Sequence, residues 1–244
     1  MDPAEYHKMA AVEDEMWFYH ALHQRIRRRL ADHLPAGPAR ILDAGCGTGG
    51  LLRRLQPLNP AWRWTGVDIS PEACGLARQR TTAEVIEGAL EKLPFAAGHF
   101  DAVVSADVLY HIEDDQAALG ELARVLRPGG WLIVNVPAYP WLWSYHDEAV
   151  AGQRRYGAWE LREKLRRAGL ADIVLTHWNL ILLPLIVARR KLGPRPASGS
   201  DVQAYPGWLN AALKGVLAFE LTLAEAFGRL PAGTSVMAVA RKPV

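Results

Sequence analysis

The chain has 244 residues, half of them hydrophobic and 22% charged, which gives enough apolar material for a sizeable core and argues against disorder. The formal net charge of +2 carries no basic excess of the kind nucleic-acid binding needs, so no nucleic-acid partner is expected. Two cysteines, Cys46 and Cys74, supply neither a disulfide framework nor a zinc spacing and suit a reducing, cytoplasmic compartment.

Residues 12–34 read as one helix, with Val12, Met16, Tyr19, Ile26 and Leu30 at helical spacing and Pro35, Gly37 and Pro38 ending it. The arginine-rich run at 25–29 reads as a solvated face of that helix. Strands then alternate with helices. Apolar runs over 40–43, 62–67, 83–87, 100–105 and 131–136 read as strands, and residues 51–55, 114–126 and 158–168 as helices. Ser70-Pro71-Glu72 is a helix start, a serine cap followed by proline at the first helical position. Further strands are expected at 173–176 and 235–240. Such alternation builds βαβ units into a doubly wound, mostly parallel α/β sheet, with a ligand crevice at the carboxyl ends of its strands. Between the last two strands lie an apolar helical stretch (179–192), a Pro/Gly/Ser linker (193–200) and an amphipathic helix (208–227), read as an insertion over the sheet's carboxyl edge. The apolar run at 180–188 contains Pro184 and falls far short of the roughly 20 residues that cross a bilayer. The first residues lack the basic-then-apolar pattern of a secretory signal.

The densest local signal is Ile41-Leu42-Asp43-Ala44-Gly45-Cys46-Gly47-Thr48-Gly49-Gly50 at a strand-to-helix turn, where glycines let backbone approach a ligand closely. Gly45, Gly47 and Gly50 also satisfy the dinucleotide pattern G-x-G-x-x-G, and Asp68 closes the next strand where a ribose diol needs an acceptor. A nicotinamide-dependent oxidoreductase therefore stays open as an alternative. Asp43 argues against it, because a carboxylate there could hold a ligand amino group but would repel a pyrophosphate. The turn Arg127-Pro128-Gly129-Gly130 argues the same way.

Five segments in this order, ILDAGCGTGG, GVDISPEA, EGALEKLPF, FDAVVSADVLYHIED and RVLRPGGWLIVNVP, resemble the class I S-adenosylmethionine-dependent methyltransferases over residues 38–178. The resemblance implies a methyltransferase that uses S-adenosyl-L-methionine and releases S-adenosyl-L-homocysteine. It implies a Rossmann-like seven-stranded sheet whose antiparallel last strand inserts beside the preceding one. Asp43, Gly45, Cys46, Gly47 and Gly49 would cradle the methionine portion of the cofactor. Asp68 would hold the ribose hydroxyls, Ile69 would lie against the adenine, and Ala89 and Leu90 would flank it from the other side. Ser105 and Ala106 would offer backbone to the amino-acid end. The family often has an acid after Gly88; with Ala89 there, the adenine amino group would be read by backbone or water. The implied organisation is an N-terminal helical cap (1–37), a cofactor-binding core (38–178), a helical insertion or lid (179–232) and the last core strand (233–244).

A narrower resemblance covers residues 137–144, His146-Asp147 and Arg154-Arg155-Tyr156, which look like a bacterial subgroup associated with polysaccharide or lipid-linked sugar pathways. Gln153 departs from it, standing where that subgroup often has histidine. The expected acceptor is an oxygen or nitrogen of a small molecule such as a sugar, a lipid-linked glycan or a secondary metabolite. His111, and His146 beside Asp147, are the candidate catalytic groups, since histidine titrates near neutrality; each also reads as a loop-ordering residue. No third ligand is spaced for a metal, and none is expected. Tyr110, Trp141, Trp143, Arg154, Arg155 and Tyr156 are the candidate acceptor contacts, tryptophans walling an apolar pocket or a sugar ring and arginines clamping a phosphate or carboxylate. Packing and helix capping are the plainer alternatives for them. Residues 179–192, apolar on most faces and ending in Arg189-Arg190-Lys191, read as a buried helix or as a lid over the acceptor. The same stretch suits contact with a membrane surface or a lipid tail. A cofactor-binding protein without turnover, a regulator or partner subunit, is the remaining alternative.

Overall fold

The computed structural model describes residues 3–193 and 200–244. Seven strands form one sheet: β1 (Ala39–Ala44), β2 (Trp62–Asp68), β3 (Glu84–Glu87), β4 (Phe100–Ala106), β5 (Leu126–Pro137), β6 (Ala171–Trp178) and β7 (Ser235–Arg241). Their order is β3-β2-β1-β4-β5-β7-β6. The first five run parallel, and β7 lies antiparallel between β5 and β6. The chain winds one way from β1 to β3 and the other way from β4 onward. The switch point, where open α/β sheets bind ligands, therefore falls between β1 and β4.

Adjacent strand residues face opposite sides, and both sides are apolar because helices cover both. Leu42, Val103 and Leu132 pack with Leu119, Leu122, Leu161 and Leu165 on one face. Ile41, Val104 and Ile133 pack with Ile26, Leu30 and Leu52 on the other. The covering helices are α1 (Pro3–Val12), α2 (Trp17–His33), α3 (Gly50–Leu55), α4 (Pro71–Arg80), α5 (Asp115–Val125), α6 (Tyr145–Ala149), α7 (Ala158–Arg167), α8 (Leu183–Lys191) and α9 (Gly207–Phe227). The side chains of Ser70 and Asp114 cap α4 and α5 by accepting from Ala73 N and Ala117 N.

Several expectations are corrected. The helix foreseen over 12–34 breaks at 13–16, and α1 precedes the break. The reason is Glu13, whose carboxylate turns inward to Thr48 and Arg80. Arg25 is not solvated. It is 6% exposed, its Nη2 lies 3.0 Å from Glu220 Oε1 of α9, and its guanidinium sits 4.7 Å from the Trp178 ring centroid. The apolar stretch 179–192 is helical only over α8, where no residue is buried and Leu185 is 63% exposed. Asn179 adopts φ +63° at the turn into it, and Glu220 accepts from Asn179 N and Ile181 N there. Helix α6 was not foreseen. Most of the linker expected at 193–200 lies outside the described residues. Among those described, no helix is long and apolar enough to cross a membrane.

Candidate active site

The glycine loop leaves β1 at the switch point with Gly45, Gly47 and Gly49 at φ +83°, +50° and +82°. Gly45 has a second constraint: a Cβ there would fall 2.5 Å from Val108 Cγ1, on the loop that leaves β4. Gly45 N and Cys46 N both donate to Val67 O, which ties the loop to β2. Gly47 N then donates to Asp68 Oδ2 and Ser70 N to Asp68 Oδ1, each at 2.9 Å. Each Asp68 oxygen keeps lone-pair capacity for a diol. Burial raises the Asp68 carboxyl, opposed by these backbone donors.

Asp43 is 2% exposed, and its Oδ2 has no hydrogen-bond partner. Burial, then Asp68 and Glu13, push its carboxyl up to about 8. A buried acceptor without a donor is rare and asks for a ligand group; an ammonium facing it would restore the charged form.

Asp43 and Asp68 stand at one end of a cavity of about 690 Å³. Cys46, Gly45, Gly47, Ile69, Leu90 and Ala106 line the same end. Gly49, Ala89 and Ser105 are not among its lining residues; Ser105 is buried with an unpartnered hydroxyl. The cavity continues past Tyr110 and His111 to apolar walls from α2, α8 and α9, including Trp17, Phe18, Leu182, Ile186 and Leu213.

His111 and His146 both line that second half, and their hydrogen bonds assign opposite tautomers. His111 Nδ1 lies 3.1 Å from Ala151 O, so Nδ1 donates and Nε2 keeps its lone pair. Nε2 is buried and unpartnered. Burial pushes the His111 pKa down, opposed by the bond to Ala151. His146 Nδ1 accepts from Asp201 N at 3.0 Å, so its proton sits on Nε2 and the neutral ring is a donor. Burial, then Arg190, push its pKa down. No hydrogen bond joins His146 to Asp147 among the described residues. Asp147 instead accepts from Ser144 N at 2.8 Å and from Arg155 Nε at 2.8 Å.

Of the six candidate acceptor contacts, Tyr110 and Arg155 line the cavity. Arg154 turns to Glu113 O and Asp115. Tyr156 is buried, its hydroxyl donating to Asp115 Oδ2 at 2.7 Å. Trp141 is 55% exposed and stacks on Tyr139, and neither it nor Trp143 lines the cavity. Of the lining acids that escaped sequence reasoning, Asp107 and Glu13 bear most on the site. Asp107 follows β4 at φ +55°, a conformation Asp tolerates better than most residues. Asn135 Nδ2 donates to Asp107 Oδ1 at 2.8 Å and is itself oriented by Trp178 Nε1, which donates to Asn135 Oδ1 at 2.7 Å. Burial pushes Asp107 up to about 7 against the pull of Asn135 and Arg155. Its signal was its place in Ser105-Ala106-Asp107-Val108. Glu13, the other, gave no local signal. Among the described residues no group of three or more His, Cys, Asp or Glu could hold a metal ion.

Known proteins carry the same core. Residues 42–134 match a family described as "Methyltransferase domain". A demethylmenaquinone methyltransferase of Thermus thermophilus is 40% identical over 116 residues, 45% of this chain and 53% of the relative. A malonyl-[acyl-carrier protein] O-methyltransferase of Enterobacter lignolyticus is 34% identical over 166 residues, 63% of this chain and 65% of the relative. The chain thus spans less than two thirds of the length of these curated relatives. A Thermotoga maritima structure described as a SAM-dependent methyltransferase, possible histamine N-methyltransferase, shares the fold at TM-score 0.60 and 19% identity, covering 98% of this chain and 95% of that one. Phosphoethanolamine N-methyltransferase 2 of Haemonchus contortus, in complex with S-adenosyl-L-methionine, shares it at TM-score 0.62 and 18% identity, covering 91% of this chain and 52% of that one. The glycine loop, the unpartnered oxygen of Asp43 and the spare lone pairs of Asp68 fit that cofactor. Residues 42–134 carry a methyltransferase domain on the Rossmann-like fold, and S-adenosyl-L-methionine is the cofactor of that domain.

Proposed function

We propose that this chain transfers the methyl group of S-adenosyl-L-methionine to an oxygen or nitrogen of a small-molecule acceptor held between α2, α8 and α9. One observation carries the reading: a single cavity joins the Asp43–Asp68 end to the half lined by His111. When bound, the cofactor supplies a methyl group on a positively charged sulfur, open to in-line displacement. The chain's part is to hold and orient the partners and to exclude water. Asp68 receives the ribose diol and Asp43 the amino group. Trp17, Phe18 and Leu182 keep water from the far half. His111 Nε2 offers a lone pair for the acceptor's proton, on a ring that burial keeps neutral near pH 7. His146 Nε2 and Arg155 offer donors to acceptor oxygens.

The apolar walls suit an acceptor with an apolar body, and α8 and α9 serve as its lid. Leu185, exposed on α8 and lining the cavity, suits the tail of a lipid-linked acceptor. A relative named for demethylmenaquinone supports an acceptor with an apolar body, and one named a malonyl-[acyl-carrier protein] O-methyltransferase supports transfer to oxygen. Calorimetry with S-adenosylmethionine, S-adenosylhomocysteine and the nicotinamide dinucleotides is the first test. Saturable binding of the adenosyl ligands alone is expected, and binding of a dinucleotide instead would return the glycine loop to an oxidoreductase. Transfer of labelled methyl into the hydroxyls of sugars or the free carboxylate of an acyl thioester would bear out the oxygen acceptor, whereas transfer to the ring carbon of a quinone lacking one methyl would overturn the choice of oxygen or nitrogen.

A further inference from the structure

The corner between α1 and α2 brings an acid to the cofactor end of the cavity from outside the matched domain. Glu13 is 4% exposed and lines the cavity. Its Oε1 accepts from Thr48 Oγ1 and from Arg80 Nη1. Its Oε2 has no hydrogen bond to any described residue and lies over the Cα of Gly50, where a Cβ would stand 2.5 Å from Glu13 Cδ. Helix α1 rests on the same loop: a Cβ at Gly47 would meet Met9 Cε at 3.1 Å.

Three carboxyls, Asp43, Asp68 and Glu13, meet here, and each of the latter two acts electrostatically on Asp43. Among the described residues, Arg80 is the cation that pairs with one of them. Arg80 serves Glu13, donates through Nη1 to Thr48 O at 3.0 Å and pairs through Nη2 with Asp14 at 3.0 Å. Asp68 is held by two backbone donors and placed for a diol. That leaves two carboxylate oxygens without a donor among the described residues, Asp43 Oδ2 and, on the far side of the Arg80–Glu13 ion pair, Glu13 Oε2, both on buried acids that line the cavity. Buried carboxylates are stable only when a cation or donors answer them.

We propose that Glu13 is a second carboxylate for the cofactor's α-ammonium, shared with Asp43, so that the N-terminal helices complete the cofactor site as well as covering it. The inference rests on the cofactor assignment above. It assigns to residues outside 42–134 the task of telling a ligand with an amino-acid tail from one without.

The test is calorimetric titration with two probes, S-adenosylhomocysteine and 5′-methylthioadenosine, the second having the same adenosine and no amino-acid tail. Glu13→Gln should weaken S-adenosylhomocysteine on the order of ten- to a hundredfold and 5′-methylthioadenosine by less than about threefold, as for a lost bond to a charged group. Asp14→Asn loosens the same corner, since Asp14 pairs with Arg53 and Arg80, without removing a cavity residue. It should change both probes alike. Equal losses for the two probes in Glu13→Gln would reduce Glu13 to a fastening of the corner and overturn the inference, as would unchanged S-adenosylhomocysteine binding. A wild-type chain that binds neither probe would refute the cofactor assignment itself. Should Glu13→Gln not fold, Glu13→Asp keeps a charge for Arg80, withdraws it by one methylene, and should show the same split.

Discussion

Replacing Asp43 by asparagine should stabilise the ligand-free chain, increasingly so as pH rises. The native state holds the Asp43 proton up to about 8, whereas the carboxyl's ordinary value is 3.8. Between these values the unfolded chain binds fewer protons than the native one, so Asp43 makes stability fall as pH rises, and the loss is complete once pH passes the native value. From about pH 5 to about pH 9 the native group resists ionisation over roughly three units, which at ~1.4 kcal/mol per unit amounts to about 4 kcal/mol. That is an upper bound, because water entering the cavity would relax the ionised form. The amide has no proton to lose. Urea denaturation of both chains at the two pH values should show the stability gap, Asp43→Asn minus wild type, widening by up to that amount. Asp68, Glu13 and Asp107 are common to both chains, and their direct contributions cancel in the gap. A gap independent of pH would mean that Asp43 is already ionised in the native state and would refute the reasoning. The same carboxyl must ionise when it meets an ammonium. Binding of S-adenosylhomocysteine near pH 7 should therefore release close to one proton, seen as a dependence of the measured enthalpy on the buffer, and Asp43→Asn should abolish that release.

His111→Ala should lower kcat on the order of 10²- to 10⁴-fold while leaving S-adenosylhomocysteine affinity within about twofold. Because burial lowers the His111 pKa, the acid limb of the wild-type rate profile should lie below the ordinary histidine value of 6.5; a limb above it would point to another group. Glu220→Ala should destabilise the chain by about 3–5 kcal/mol in urea denaturation, because it leaves buried Arg25 uncompensated. A loss under about 1 kcal/mol would show that water reaches the guanidinium. His23, buried with Nδ1 unpartnered, is pushed down to about 3 by burial, then by Arg54 and His20. Its contribution is intact above the ordinary value of 6.5 and is lost as pH falls toward 3, by up to ~1.4 kcal/mol per unit. His23→Leu should remove that part of the acid sensitivity in melts between about pH 7 and about pH 4, and parallel curves for the two chains would refute it.

What the sequence displays depends on the range of the interaction that fixes it. The strands show because each carries its own apolar run, and the glycine loop shows because its conformation is local. The corner at 13–16 does not, since Val12, Met16 and Tyr19 keep helical spacing across it while the cause, Thr48 and Arg80, lies far along the chain. Arg25 looks solvated for the same reason, its partner Glu220 being 195 residues away. Adjacency misleads in a different way at His146 and Asp147. Consecutive helical residues do not face each other. Helix α6 therefore sends Asp147 back to Ser144 and Arg155 and His146 outward to Asp201. Trp141 suggested a pocket wall, but the turn that carries it puts its ring on the surface against Tyr139.

The two halves of the cavity are accordingly built by different rules. The cofactor end comes mostly from loops that leave neighbouring strands, and Asp68 is held there by backbone donors of those loops, Gly47 N and Ser70 N. The acceptor half is assembled by α2, α6, α8 and α9, and its shape depends on polar pairs distant in sequence. Arg25 binds α2 to Glu220 of α9, and the same carboxylate holds the turn at Asn179 and Ile181. Asn179 Nδ2 in turn donates to Thr234 Oγ1 at 2.8 Å, just before β7. A change at any member of this chain moves the wall formed by Leu182 and Ile186, while the glycine loop keeps its own anchors to Val67 and Asp68. On the proposed reading, acceptor choice can therefore alter by substitution in the helices without disturbing cofactor binding, with Glu13 as the exception, because it belongs to a helix corner and lines the cavity beside the glycine loop.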